Sequence, residues 1–280
     1  MIPRLRLRPY SHLDYQNGID PYKLDQRTMQ QVVTYSDPMH VNSFNRLTEI
    51  CSSIVFFNRE YLILFRGQSE DTDSVLPRIY RDYSTVSFEN KRYELEEKSQ
   101  RLISVLRSRK KRFHGTFLLE QRFFQWAILQ HYECCDTPLL DITQSLHIAC
   151  SFAQSSALKR QDRSTECFIY ALAFPWPQNH FSTHEEMGLI RLLNYCPPKA
   201  KRPYFQQAYV ASPFISEKNI ESSNPKNCDF SPRIVAKFSI PIHCAFWDDN
   251  LMPFPKTLLY PNDDLFEKEL IKHKIKVLTK

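Results

Sequence analysis

Glycine is scarce in this chain: four residues in 280, at Gly18, Gly67, Gly115 and Gly188. A P-loop and a G-x-G-x-x-G dinucleotide turn each need several glycines close together, because backbone must approach phosphate with no side chain between them. Neither motif exists here, so any nucleotide would have to be gripped by side chains. The C-x-x-C pattern is missing too. The eight cysteines, at positions 51, 134, 135, 150, 167, 196, 228 and 244, are scattered through apolar segments. That spacing writes neither a zinc ribbon nor a redox pair, and reduced thiols with no metal are expected. No apolar run approaches the ~20 residues of a bilayer span. The first residues, MIPRLRLRPYSHLDY, are basic but lack the apolar core of a secretory signal. The expectation is a cytoplasmic protein without a membrane partner.

What is present is an ordinary globular composition, 42% hydrophobic and 24% charged, rich in Phe (20) and Tyr (14). A chain of this size can bury a core without staples. The net charge of +6 is gathered into clusters. Arg107, Arg109, Lys110, Lys111 and Arg112 form one, Lys199, Lys201 and Arg202 a second, and Lys272, Lys274, Lys276 and Lys280 a third. Each alone fits a solvated helix end. Three together point to a polyanionic partner such as single-stranded RNA or DNA, with Arg109, Lys110, Lys111 and Arg112 as candidate contacts and Tyr132 or Tyr204 as candidate base-stacking rings.

Residues 1–45 are polar, with turn signals at Asn17-Gly18 and Asp37-Pro38, and read as an N-terminal extension; 46–280 read as the main domain. Residues 60–66 (EYLILFR) predict a buried strand. Alternating charges over 86–113 predict a long exposed helix inserted into the domain, and a second helix is expected at 116–132. Pro138 breaks the pattern, and Thr143 or Ser145 can cap a helix over 146–157. Residues 166–174 (ECFIYALAF) predict a central strand, apolar on both faces. The stretch 175–230 reads as loops with one short helix near 185–193. Residues 233–240 predict a strand with Ile234, Ala236, Phe238 and Ile240 on one side. A short strand near 257–260 and a basic C-terminal helix close the chain. The fold class is α+β: a mixed-sheet core flanked by helices.

Several segments stand in a recognisable order. Leu64-Phe65-Arg66-Gly67-Gln68-Ser69 is followed by Leu76-Pro77. Gln130-His131-Tyr132 precedes Thr137-Pro138-Leu139-Leu140-Asp141-Ile142-Thr143, then Ala149 and Phe152-Ala153. Arg202, Gln206, Ala208 and Val210 follow, and LLYPNDDL (258–265) comes last. Over about 60–270 this resembles the FRG-domain family, named for its Phe-Arg-Gly triplet. There are departures. The family has glycine at Glu133, tryptophan at Ile142, and glycine and phenylalanine at Ala208 and Val210. The family's layout is similar to the ADP-ribosyltransferase fold, in which a strand arginine holds NAD, a Ser/Thr-bearing turn follows, and an acidic or amide residue closes the site.

That resemblance implies NAD as substrate and makes Arg66, Gln68, Thr143 and Ser145 candidate NAD-binding residues, with His131, Asp141 and Gln206 as candidate catalytic ones. Each has a plain alternative. Arg66, at a strand end, can grip a diphosphate or pair with an acidic loop residue. His131 can act as a base or sit in the core bonded to Asp141. Asp141, between apolar residues, needs a partner, Arg66 or His131. Thr143 and Ser145 are equally well helix caps. Gln206 stands where a transferase wants glutamate; an amide orients a ribose hydroxyl but supplies no charge, so activity is either slow or takes an acidic residue from elsewhere, with Glu217 and Glu221 as candidates. The glutamates Glu185 and Glu186 read as a solvated helix start. The functional expectation is an enzyme that cleaves NAD and passes ADP-ribose to a macromolecule, possibly nucleic acid, as a toxin or anti-phage effector. The alternatives are a non-catalytic nucleotide- or nucleic-acid-binding module and a scaffold for an acidic protein partner such as an antitoxin.

Overall fold

The computed structural model describes residues 37–58, 61–107, 121–160, 165–176, 181–182, 187–197, 199–213, 225–248 and 251–277. Eight strands make one mixed sheet: β1 (Met39–His40), β2 (Tyr61–Gln68), β3 (Leu140–Thr143), β4 (Glu166–Pro175), β5 (Phe181–Ser182), β6 (Gly188–Arg191), β7 (Ala208–Ser212) and β8 (Ile234–Pro241). Their order is β1-β8-β4-β2-β3-β7-β6-β5. Only the β1–β8 pair is parallel. Since β1 is in the sheet, and Val41 and Phe44 are in the core, the folded body begins ahead of residue 46.

The central strands β2 and β4 are largely apolar on both faces because both are covered, while β8 turns the buried Lys237 and Ser239 to one side. On one face, α1 (Phe44–Phe57) and α4 (Leu146–Ala157) pack over Ile63, Phe65, Ile169, Ala171 and Phe238. On the other, Leu62, Leu64, Leu172 and Phe174 meet Val75 and Phe230 from flanking loops. A third cluster joins α2 (Thr85–Arg107), α3 (Arg122–His131) and α7 (Leu265–Lys272) to Ile190 and Val210 of β6 and β7. Ser43 caps α1 by accepting from Arg46 N, and Ser145 caps α4 by accepting from Ile148 N. Each such cap is worth about 1 kcal/mol.

The structure differs from the sequence expectation at several places. The helix near 185–193 is instead β6 followed by a 3-10 turn, Leu192–Asn194. Short as it is, β6 is buried and lies between β5 and β7, so pairing decides its state. The strand near 257–260 is a four-residue helix, α6 (Lys256–Leu259). Within the loop-like 202–212 stretch, α5 (Arg202–Phe205) and β7 form. Ile234 does not share a face with Ala236, because a bulge lets Val235 slip between them: Ala236 pairs Ala171 and Ile234 pairs Leu172. The helix expected over 116–132 runs from Arg122 to His131, with Gln121 extended as its N-cap; 116–120 lie outside the described residues.

All eight cysteines are free thiols, six of them buried. No described helix is long and apolar enough to cross a membrane.

Candidate functional site

The sheet opens at its centre. β2 and β3 share a single residue pair, Phe65 opposite Thr143, while β2 stays paired with β4 out to Gln68 and β3 stays paired with β7. Past that pair the two strands diverge into a fork. Arg66 stands in the fork and donates from Nη1 to the backbone carbonyl of Asp141, 2.7 Å away. Its Nε donates to Gln68 Oε1 at 3.1 Å, and Gln68 in turn donates to Thr72 Oγ1. The guanidinium thus spans the gap that the ladder leaves. Burial pulls its pKa down to about 10, with Arg81 and Arg78 pushing the same way and Asp141 opposing them. At neutral pH it remains a cation.

Gly67 has a different task from the one a phosphate loop would give it. A Cβ there would fall against the Ala149 carbonyl oxygen and 2.9 Å from Ala153 N. Its absence lets α4 lie directly on β2. The helix then forms one wall of a cleft of about 180 Å³ that opens over the fork.

Arg66, His131, Asp141, Thr143 and Gln206 all line this cleft. His131 is buried at the end of α3, with Nδ1 3.5 Å from Asp141 Oδ1. Gln130 Nε2 donates to Asp141 Oδ2 at 2.6 Å and receives the Thr137 hydroxyl on Oε1. The carboxylate of Asp141 is therefore partnered by His131 and Gln130, and Arg66 takes its carbonyl. Burial pushes the Asp141 carboxyl up, but the His131 and Gln130 contacts and the Arg66 charge outweigh it and hold its pKa low. For His131 burial wins: the pKa is lowered although Asp141 pulls it up. An ionised carboxylate can only accept, so a proton on Nδ1 is the tautomer that faces Asp141 favourably across 3.5 Å.

Thr143 donates to Gln206 O at 2.8 Å and accepts from Ser145 N. Gln206 is buried at the C-terminal cap of α5, with its Nε2 donating to Leu259 O at 2.7 Å. Ser145 and Gln68 do not line the cleft; one caps α4 and the other holds Arg66.

Three residues of the cleft escaped the sequence reading. Arg202 looked like one cation of a surface cluster, yet it is 3% exposed. It pairs with Glu133 at 3.0 Å and with Glu267 at 3.9 Å, and lies over the Tyr260 ring at 4.3 Å. Glu133 replaces the family's glycine and keeps a glycine-like backbone, φ 55. Burial alone would raise the Glu133 pKa; Arg202 and Lys276 hold it below the usual range. The signal available was that substitution itself. Tyr260 completes the wall, edge-on to Phe152.

The basic clusters fare unevenly. Arg109, Lys110, Lys111 and Arg112 lie outside the described residues, as do Glu185, Glu186, Glu217 and Glu221. Lys201 is paired with Asp263 and Lys276 with Glu267. Tyr132 cannot stack on a base: it is fully buried, with its hydroxyl donated to Asp264 at 2.9 Å. Tyr204 is exposed. Among the described residues no cluster of three His, Cys, Asp or Glu could hold a metal.

No curated protein and no solved structure matches the chain. The FRG domain family does match it, over residues 62–162, a span that runs from β2 to just past α4 and supplies Arg66, Gly67, His131, Asp141 and Thr143. On that match, and with those residues around one cleft, the chain carries an FRG domain.

Proposed function

We propose that the fork cleft binds NAD and breaks the bond between nicotinamide and ribose, passing the ADP-ribosyl group to an acceptor. One observation carries this: a fixed guanidinium, Arg66, and two partly open carboxylates, Asp141 and Glu133, line the same cleft, with side-chain exposures of 36% and 41%. When the glycosidic bond breaks, its electron pair leaves on the ring nitrogen, so nicotinamide departs neutral. Positive charge then develops at ribose C1′, where a preorganised carboxylate is worth most. The acceptor bonds to C1′ and its proton passes to the Asp141 carboxylate. Gln206, tied to Leu259 O, orients but adds no charge.

A second reading, nucleotide recognition without turnover, is favoured by how fully the polar groups are engaged internally: Asp141 by Gln130 at 2.6 Å and Glu133 by Arg202 at 3.0 Å. Incubation with NAD separates the two. Cleavage releases free nicotinamide, and Asp141→Asn lowers its rate about 100-fold. NAD that binds, by calorimetry, but is never cut supports recognition alone. Failure to bind NAD at all overturns both. Arg66→Ala should abolish binding, measured below the variant's own melting transition, which should fall because the same side chain ties β2 to the Asp141 carbonyl.

A further inference from the structure

Behind the fork lies a second cavity, of about 80 Å³, that shares Arg66, Glu133 and Asp141 with the larger cleft. Its other wall carries Arg78 and Arg81. These two arginines are three positions apart across the 3-10 turn Arg78–Tyr80, where residues i and i+3 project from one side. The turn is pinned from three directions. Ile79 and Tyr80 are each 1% exposed, Ile79 N donates to Thr137 O at 3.3 Å, and Lys91 Nζ donates to the carbonyls of Arg78 at 3.3 Å and Arg81 at 3.2 Å. Arg81 Nε donates to Leu76 O at 3.0 Å, which fixes its guanidinium by one edge.

Three guanidinium groups held on one small cavity repel one another, and Arg66 feels both of the others. The surrounding carboxylates offset this only in part: Asp141 acts on Arg66, Glu133 feels Arg78, and Asp136 and Asp82 act on Arg81. Glu133 is committed to Arg202 and Asp141 to Gln130 and His131. Like charges gathered on one cavity repel one another, and an anion that joins them relieves the repulsion. At about 80 Å³ the cavity is less than half the size of the larger cleft, which suits a phosphate group better than a whole nucleotide.

We infer that Arg66, Arg78 and Arg81 form a phosphate subsite, and that the ligand is a nucleoside phosphate with its ring and sugar in the larger cavity. The inference rests on the fork cleft being a ligand site, but not on NAD being cut there. Arg66, common to both cavities, reads the linkage between the two parts.

Inorganic pyrophosphate is the probe. Calorimetry on the full chain should show salt-sensitive binding that weakens about tenfold or more in the Arg78→Gln/Arg81→Gln variant. It should be unchanged in Arg46→Gln, an arginine on α1 paired with Glu49. If the Gln pair fails to fold, Arg78→Lys/Arg81→Lys keeps the charge and loses the planar fork; weakened binding there gives the same support. A parent that ignores pyrophosphate, or a folded double variant that binds it as tightly as the parent, overturns the subsite. Pyrophosphate binding lost in the variant, alongside a parent that releases no nicotinamide from NAD, upholds the subsite and removes only the cleavage reaction.

Discussion

A side-chain carbon on Gly67 would stand 2.9 Å from the carbonyl carbon of Ala149 and press on that residue's carbonyl oxygen. Real Cβ atoms do not come that close to backbone. The family's glycine is therefore a helix-seating residue: it sets the distance between α4 and β2, and with it the width of the cleft. Gly67→Ala should destabilise the protein by about 1–3 kcal/mol through overpacking. The denaturant midpoint would fall with little change in slope. An unaltered midpoint would mean that α4 shifts without cost.

Asp264 should prove as important to the fold as any apolar residue. Its Oδ2 accepts from Tyr132 Oη, Lys201 N and Arg202 N, each at 2.9 Å, and its Oδ1 accepts from Phe266 N and Glu267 N. One buried carboxylate thereby ties the starts of α5 and α7 to the end of α3. Asp264→Asn keeps the size but turns one acceptor into a donor facing three donors. A loss on the order of 3 kcal/mol is expected in urea unfolding.

Glu133→Gly should change sign with its background. Glycine relieves a backbone held at φ 55, worth about 1 kcal/mol. It also leaves Arg202, 3% exposed, without its 3.0 Å partner. Glu267, 3.9 Å away, remains, so the cost falls short of the ~3–5 kcal/mol for full unpairing of a buried charge but still exceeds the relief, and the single variant is less stable than the parent. With Arg202→Met already in place only the relief remains, and Glu133→Gly becomes neutral or stabilising. A double-mutant cycle measures the difference.

Acidification should weaken the fold in a window set by His131. Burial lowers its pKa in the folded state, so the unfolded chain binds the proton more readily. Stability from this group is complete above the unfolded value, about 6.5, and is lost as pH falls from there through the folded pKa. Asp141, also lowered, adds a loss of the same sign below about pH 4. His131→Gln should flatten the melting-temperature profile between pH 7 and 5 while leaving the steeper acid limb in place.

Much of this fold was legible in the chain where pattern and length agreed. The apolar runs ending at Arg66 and Phe174 are strands, and Ser145 ahead of Leu146, Ala149, Cys150 and Ala153 marks a capped helix. The gathering of Arg66, His131, Asp141 and Thr143 followed from motif order. What failed depends on distant partners. Four-residue stretches such as Gly188–Arg191 or Lys256–Leu259 suit strand or helix alike, and neighbours decide. Ile234 changes face through a bulge that alternation alone does not reveal. Arg202 and Tyr132 look like surface groups because composition reports charge and polarity, while their partners lie far along the chain: Glu133 and Tyr260 from Arg202, and Asp264 from Tyr132.

The fork has a mechanical consequence. Where Phe65 meets Thr143, the backbone ladder of the eight-stranded sheet narrows at its middle to one residue pair, bridged beyond it by the Arg66 side chain. To either side, β2–β4 and β3–β7 are fully laddered. The sheet is thus two stiff leaves with a narrow seam, and slow opening along it should leave the amides of β3 less protected from solvent hydrogen than those of β4. A molecule lodged in the fork would bridge both leaves and act as a clasp. Its arrival should be read as slowed exchange at Asp141 and Ile142, with the outer strands unaffected.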